Sequence, residues 1–280
     1  MKKRIVFIIL VAISIFMCFP VIFLLAGSFM SVDELNTYLA PIFAEKSKEY
    51  VSWGLLPSYP TLRAYVELLF DTPEFFVMFW NSVKIVFLSV AGQLIVGVAA
   101  AWGFARYKFP FKKILFTLYI VVMLLPFQVT MLSNYLVLDK LKILDTHASI
   151  ILPAIFSTFS VFIMYRFFCN IPEAILESAR LDGASELKIF YKLGIPLGMP
   201  GIMSAVILQF LEYWNLIEQP LTFLKDKKLW PLSIYLPNVT LDNAPMAFTA
   251  SAVTLIAAII VFFAGQSYLE QGIAATAVKE

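Results

Sequence analysis

Charge is what this chain has least of. Asp, Glu, Lys and Arg make up 14% of its 280 residues, where an ordinary soluble domain carries about 25%. With 21 basic and 19 acidic residues the net charge is +2. That leaves no basic field for a polyanion and excludes a nucleic-acid binder. Cysteine is scarce as well: Cys18 lies inside an apolar run and Cys169 near the end of another, with no CxxC spacing. Neither a disulfide framework nor a zinc site is expected. The single histidine, His147, has no HExxH pattern around it and reads as a structural or surface residue. No nucleophile–base pair, metal cluster or cofactor fingerprint favours a membrane enzyme. Gly92-x4-Gly97 imitates the glycine spacing of a phosphate loop, but Val98-Ala99 follow where Lys-Ser/Thr is needed. Those glycines read as small residues for helix packing.

Apolar residues fill the space that charge leaves. They account for 61% of the chain, with 27 Phe and a 16% aromatic share, and the mean hydropathy is +0.85. An apolar run of about 20 residues crosses the hydrocarbon core as a helix. Six such runs are read, near Ile5–Gly27, Phe75–Ala105, Ile114–Asn134, Ala148–Cys169, Met199–Ile217 and Ala247–Tyr268. The fold class expected is therefore an all-α membrane protein with six transmembrane helices in a single domain over 1–280. The first run is too long for the apolar stretch of a signal peptide. Leu24-Leu25-Ala26-Gly27 imitates a lipoprotein cleavage box, but Ser28 stands where the acylated Cys is required. Pro20, Pro126 and Pro153 fall inside spans, where neighbouring helices can satisfy the freed carbonyls. Packing geometry is the plainer reading of these prolines, and bends that shape a path the sharper one.

Basic residues orient the spans. Arg106, Lys108, Lys112 and Lys113 cluster between the second and third runs with no acid among them. The long segment of about 28–74 is the reverse, with Asp33, Glu34, Glu45, Glu49, Glu67, Asp71 and Glu74 against Lys46, Lys48 and Arg63. Both termini are expected on the cytoplasmic side, and 28–74 is expected as a long outer loop touching a partner. Trp53, Tyr59 and Tyr65 lie in that loop.

One polar insertion does not belong in a simple bundle. Residues of about 170–198 separate the fourth and fifth runs, too many for a turn. Pro172 and Glu173 suit a helix start. Gly183 suits a helix stop with positive φ, and Ser185 can cap a second short helix reaching about Leu193. Pro196 and Pro200 are expected to break the chain before the fifth span. Ile175, Leu176, Ala179, Leu187 and Phe190 form an apolar set that no bilayer covers. Part of it is expected under the bundle and part free to dock a partner.

Glu177-Ser178-Ala179-x3-Gly183, with Pro196 thirteen residues after the glycine, resembles the EAA loop of ABC importer permeases, E-A-A-x3-G-x9-I-x-L-P. Ser178, Leu193 and Ile195 depart from it but keep small or aliphatic character. Asp182-Gly183-Ala184 matches its fuller core. Pro60-Thr61-Leu62 with Tyr65, Asn81-Ser82, Ala105-Arg106, Trp214-Asn215, Gln271-Gly272 and Ala277-Val278-Lys279 resemble the maltose-type carbohydrate branch. The resemblance runs over nearly the whole chain. It implies a type I importer permease in a bacterial inner membrane, multi-pass, without a catalytic site of its own. It further implies an ATPase-coupling surface at Glu177, Ser178, Ala179, Asp182, Gly183 and Ala184. The implied partners are two copies of a cytoplasmic ATPase that bind ATP and Mg, a second homologous permease and an extracytoplasmic sugar-binding protein. The tail residues Gln271 and Gly272 are implied as a further contact.

Polar residues in spans are candidates for the solute path. Glu212 is the only acid of the fifth run, followed by Tyr213, Trp214 and Asn215. A carboxylate, an indole and an amide can bind sugar hydroxyls and stack a ring, although Trp and Tyr also populate membrane interfaces. Glu212, Trp214, Asn215 and Gln128 are taken as path residues, with Gln93, Asn134 and Gln209 as secondary ones that can equally bond a neighbouring helix. The competing readings are an ABC permease for a non-sugar solute and an ion-coupled secondary transporter. The second would be expected to show repeat symmetry and intramembrane ionisable relays.

Overall fold

The structure, a computed structural model, describes residues 2–43, 54, 56–235 and 243–277, with side chains of residues 2, 42–43 and 271–277 outside the description. The helices in chain order are α1 (Lys2–Gly27), α2 (Val32–Phe43), α3 (Arg63–Val66), α4 (Pro73–Arg106), α5 (Lys112–Leu124), α6 (Phe127–Lys140) and α7 (Ala148–Ile155). They continue with α8 (Thr158–Asn170), α9 (Glu173–Leu181), α10 (Glu186–Ile189), α11 (Ile195–Trp214), α12 (Glu218–Phe223) and α13 (Ala244–Ala277). Among the described residues, five stretches are long and apolar enough to cross a membrane, and a sixth arises if the bent pair α5–α6 is one span. No strand occurs among the described residues.

Two compact units emerge, 1–77 with 235–257 and 78–234 with 258–280. In the first, α1 is apolar on all sides and its most apolar window is 0% buried. A helix that is apolar all round and uncovered by protein has lipid as its natural solvent. Pro20 sits inside α1 without ending it. The segment expected as a loop at 28–74 is partly helical. Leu35 and Leu39, four positions apart on α2, bury with Met30 and Ala244, while Asp33 and Glu34 occupy the favourable first turn. The Ser28 and Tyr65 hydroxyls lie 2.7 Å apart, and Thr61 N–H donates to the Phe29 carbonyl at 2.8 Å. Short-range amphipathicity, drowned in a long polar window, built this segment. Trp53 lies outside the described residues.

In the second unit, α8 runs along α11. A Cβ on Gly198 would sit 2.3 Å from the Phe168 ring and one on Gly201 2.4 Å from the Phe167 ring. Small residues thus let these helices close up without a hydrophobic driving force from water. Gly92 does the same for Ile155 at 2.3 Å and Gly97 for Met164 at 2.9 Å, which is the packing role read for them. The core holds Trp102 of α4, Val161, Met164 and Phe168 of α8, Leu176 of α9, Ile189 of α10 and Ile202 and Ala205 of α11. One cluster therefore joins the long helices to the α9–α10 hairpin.

Three departures from the sequence expectations concern helix continuity. The third span is two helices, α5 and α6, meeting at 104°. Pro126 has no N–H to give and forces Leu125 into extended backbone (ψ 124). The fourth span also breaks, at Phe156-Ser157, where Ser157 is non-helical with ψ 123. Conversely, Pro196 and Pro200 do not break the chain. A π-helical turn over Phe190–Gly194 leads straight into α11, which carries Pro196 in its first turn and Pro200 inside. Ile195 N–H bonds the Phe190 carbonyl in the wider π turn, so the run has already left regular α register where Pro196 removes a donor.

Candidate functional site

Two regions carry the candidate chemistry. The first is the α9–α10 hairpin. Pro172 precedes α9 in extended conformation, with ψ 132. Gly183 ends the helix at φ +77. Its N–H bonds the Arg180 carbonyl at 3.0 Å, and the Ala184 N–H bonds the Ala179 carbonyl at 3.0 Å. This crossed pair is a Schellman stop, which requires a left-handed residue at the position of Gly183. Ser185 then caps α10 by accepting the Lys188 N–H at 3.3 Å. The glycine of the motif is thus a backbone device, and so is Ser185.

The motif residues divide between two faces. Ala179 and Ala184 pack on the core beside fully buried Leu176. Glu177, Ser178 and Asp182 are exposed. Next to them Leu181 is 89% and Leu187 70% exposed. Of the expected apolar set, Leu176, Ala179 and Phe190 lie against the bundle and Ile175 and Leu187 face outward.

Charged residues tie the hairpin down. Arg106, the last residue of α4, donates to Glu173 Oε2 at 3.0 Å and to the Ile171 carbonyl at 2.6 Å. It also donates to the Phe168 carbonyl. Glu173 Oε1 accepts from Arg180 at 2.8 Å, and Arg180 Nε donates to Glu186 Oε1 at 2.8 Å. The Arg180 hydrogen bond, helped by the Arg106 charge, holds the Glu173 carboxyl below the usual carboxylate range.

The second region is a cavity of about 450 Å³ at the two helix breaks. Leu125 and Phe127 border it on one side, Phe156, Ser157 and Thr158 on another, and Gln209, Glu212 and Tyr213 of α11 close it. Thr130, Asn134 and Gln219 add polar groups. A second cavity of about 610 Å³ shares Phe127, Glu212 and Gln219 and adds Asn215 and Glu218. Irregular backbone within membrane helices is tolerated where it lines such a space. Behind the first cavity lies a buried polar group. Gln93 Nε2 donates to the Ala154 carbonyl at 2.8 Å and to Gln209 Oε1 at 3.2 Å, and Ser160 Oγ donates to Gln93 Oε1 at 2.9 Å. The Ala154 carbonyl, which also accepts the Ser157 N–H at 3.0 Å, gains a second donor this way.

The path residues read from sequence separate here. Glu212 walls both cavities. Asn215 walls the second, while its Nδ2 donates to its own helix at the Leu211 carbonyl, 2.9 Å away. Trp214 is buried, stacked on Phe210 at 5.5 Å and edge-on to Phe79 at 6.1 Å. Its indole is a packing anchor and lines neither cavity. Gln128 donates to Glu218 Oε1 at 2.6 Å, joining α6 to α12, and also stands outside both walls. Thr130, Ser157 and Thr158 were not singled out from the sequence; the signal was hydroxyl residues next to Pro126 and Pro153. His147 Nε2 donates to the Leu229 carbonyl at 3.0 Å. Of Gln271 and Gly272 only the helical backbone is described, and Val278 and Lys279 lie outside the described residues.

Known proteins share this arrangement. Residues 93–275 match the family described as binding-protein-dependent transport system inner membrane component. The arabinooligosaccharides transport system permease protein AraQ of Bacillus subtilis is 29% identical, over 86% of this chain and 91% of its own. A probable ABC transporter permease protein of Pyrococcus horikoshii is 30% identical, over 81% of this chain and 85% of its own. The crystal structure of a bacterial ABC transporter involved in the import of the acidic polysaccharide alginate contains a chain of the same fold. It has a TM-score of 0.79 at 21% identity and covers 95% of this chain and 96% of that one. On its helices, its hairpin motif and these matches, the chain belongs to the inner membrane component family of binding-protein-dependent ABC transport systems.

Proposed function

We propose that this chain is one of two permease subunits of an ATP-driven sugar importer and forms half of its solute path. The observation that carries the reading is the α9–α10 hairpin. It offers Leu181 and Leu187 to solvent while its inner face belongs to the core of the long helices. Exposed leucines on a rigidly held short helix suit a groove on another protein. That protein is an ATPase present in two copies, which binds ATP and Mg; the face bearing Glu177, Ser178 and Asp182 enters its groove. A second, homologous permease completes the path, and an extracytoplasmic binding protein delivers the solute. Both termini lie on the ATPase side of a bacterial inner membrane.

The solute meets this subunit at Glu212. Both cavity walls contain an amide, an aromatic ring and a carboxylate but no Lys or Arg, and the first adds hydroxyls, a composition suited to a neutral polyhydroxylated ligand. The sugar named for AraQ is of that kind. The test is reconstitution of the chain with its partner permease, ATPase and binding protein in proteoliposomes. Solute-stimulated ATP hydrolysis and uptake are expected only with all components present. Glu212→Ala with Asn215→Ala is expected to lower uptake in a normally assembled complex. Uptake driven by an ion gradient without ATP would overturn the reading.

A further inference from the structure

If the hairpin receives a push from an ATPase, something must carry that push to the long helices. The hydrophobic contacts beneath it resist separation, but apolar surfaces are non-directional and permit sliding. A guanidinium fork bonded to several fixed acceptors permits much less, because its donors have fixed directions.

Arg106 has this arrangement. It is the last residue of α4, and its side chain is only 9% exposed. It bonds the Phe168 and Ile171 carbonyls where α8 ends, adding to the Ile171 N–H that reaches the Phe168 oxygen at 3.3 Å. It also bonds Glu173, the first residue of α9. Its Cζ lies 5.7 Å over the ring of Trp102, one turn earlier on α4. Three elements therefore converge on one side chain. The charge chain continues from there, as Glu173 holds Arg180 at the far end of α9 and Arg180 holds Glu186, the first residue of α10.

We infer that Arg106 is the positioning residue through which movement of the α9–α10 hairpin is imposed on α4 and α8. This rests on the ATPase-coupling reading above and goes beyond it by naming the mechanical link. The links are unequal. Arg180, Glu173 and Glu186 are 38–52% exposed at their ion pairs, and exposed pairs contribute little. Arg106 is the buried member and engages backbone. Its loss should free the hairpin to move without the long helices, whereas loss of Arg180 should loosen only the α9–α10 joint. Lys at 106 keeps the charge but cannot serve three diverging acceptors.

The experiment measures ATP hydrolysed per solute imported by the complete complex in proteoliposomes. Arg106→Gln is expected to raise this ratio about fivefold or more, with the ATPase still bound and still hydrolysing ATP. Arg106→Lys should give an intermediate rise and Arg180→Gln a smaller one. Lys140→Gln, at an exposed position in the last turn of α6 outside both candidate regions, should leave the ratio unchanged. A wild-type ratio in Arg106→Gln overturns the inference. Should Arg106→Gln fail to assemble, Arg106→Lys and Glu173→Gln are combined. Effects on the ratio that do not simply add support the link, and strict additivity overturns it. Leu181→Ser with Leu187→Ser separates the two ideas, because it should release the ATPase. If it does not, the coupling reading fails; if it does while Arg106→Gln keeps the wild-type ratio, only the link fails.

Discussion

Gln93 and Gln209 face each other across the second unit with Nε2 and Oε1 3.2 Å apart, both side chains buried. Gln93 spends its remaining capacity on the Ala154 carbonyl and the Ser160 hydroxyl, so one amide serves α7, α8 and α11. Gln93→Leu removes the Gln93 partner from Gln209 Oε1 and Ser160 Oγ and takes one of two donors from the Ala154 carbonyl. A loss of about 1–2 kcal/mol is expected, read as a lower midpoint in thermal unfolding of the detergent-solubilised protein. An unchanged midpoint would mean that water replaces the amide.

Gly201 and Gly103 should respond in opposite directions. Gly201→Val pushes side-chain atoms into the Phe167 ring and is expected to cost about 1–3 kcal/mol as overpacking. Gly103 has nothing within 4 Å of its Cβ position and lies inside α4. Gly103→Ala should be neutral or stabilising by up to about 1 kcal/mol. The same unfolding assay compares them.

Gly183→Ala meets no neighbour but must hold φ at +77. The expected cost is about 1–2 kcal/mol, with Gly183→Asn milder. Because the stop positions α10, retention of the ATPase during co-purification should fall in the order Gly, Asn, Ala.

Burial holds the His147 imidazole below its ordinary pKa, with the Lys84 charge acting the same way and the Leu229 carbonyl opposing. The folded protein therefore binds this proton less readily than the unfolded chain. The stability tied to neutral His147 is complete above the unfolded pKa of about 6.5 and is lost as pH falls through the lower folded value. Unfolding midpoints measured from pH 7.5 downward should decline less steeply in His147→Gln than in the parent. Equal slopes would refute this assignment.

The cavity field can be read chemically. With Cys18 and Cys169, both exposed, replaced by Ser, Thr130→Cys places a thiol in the wall shared with Glu212. A cationic methanethiosulfonate should label it roughly tenfold faster than an anionic one, and Glu212→Gln should remove the preference. Faster anionic labelling would contradict a carboxylate-dominated cavity.

What the sequence made legible follows from how local each signal is. Pro172 and Gly183 act through their own backbone and Ser185 through a hydroxyl that reaches an N–H three residues on, so the hairpin could be read before any long-range contact was known. The family motif shares Gly183 with them. Hydropathy, by contrast, records how apolar a segment is and not whether it is straight. The breaks at Leu125-Pro126 and Phe156-Ser157 are invisible to it, and with them the cavity. Proline gave opposite outcomes at Pro126 and Pro196: the first stands in extended backbone between α5 and α6, and the second follows a π-helical turn that runs on into α11. Trp214 shows a related limit: an aromatic at a span end fits a ligand platform, an interface belt and a packing anchor alike. Only the stacking partner Phe210 identifies the last.

The uncovered surface of α1 has a practical consequence. Phe7, Ile8, Ile15 and Phe16 each keep more than half of their surface free of protein. Their cohesion comes from acyl chains, so this element is a joint product of polypeptide and solvent. Exchanging a long-chain detergent for a short one should therefore endanger α1 before it disturbs the glycine-seated α8–α11 pair, and the choice of amphiphile becomes a stability variable as real as any substitution.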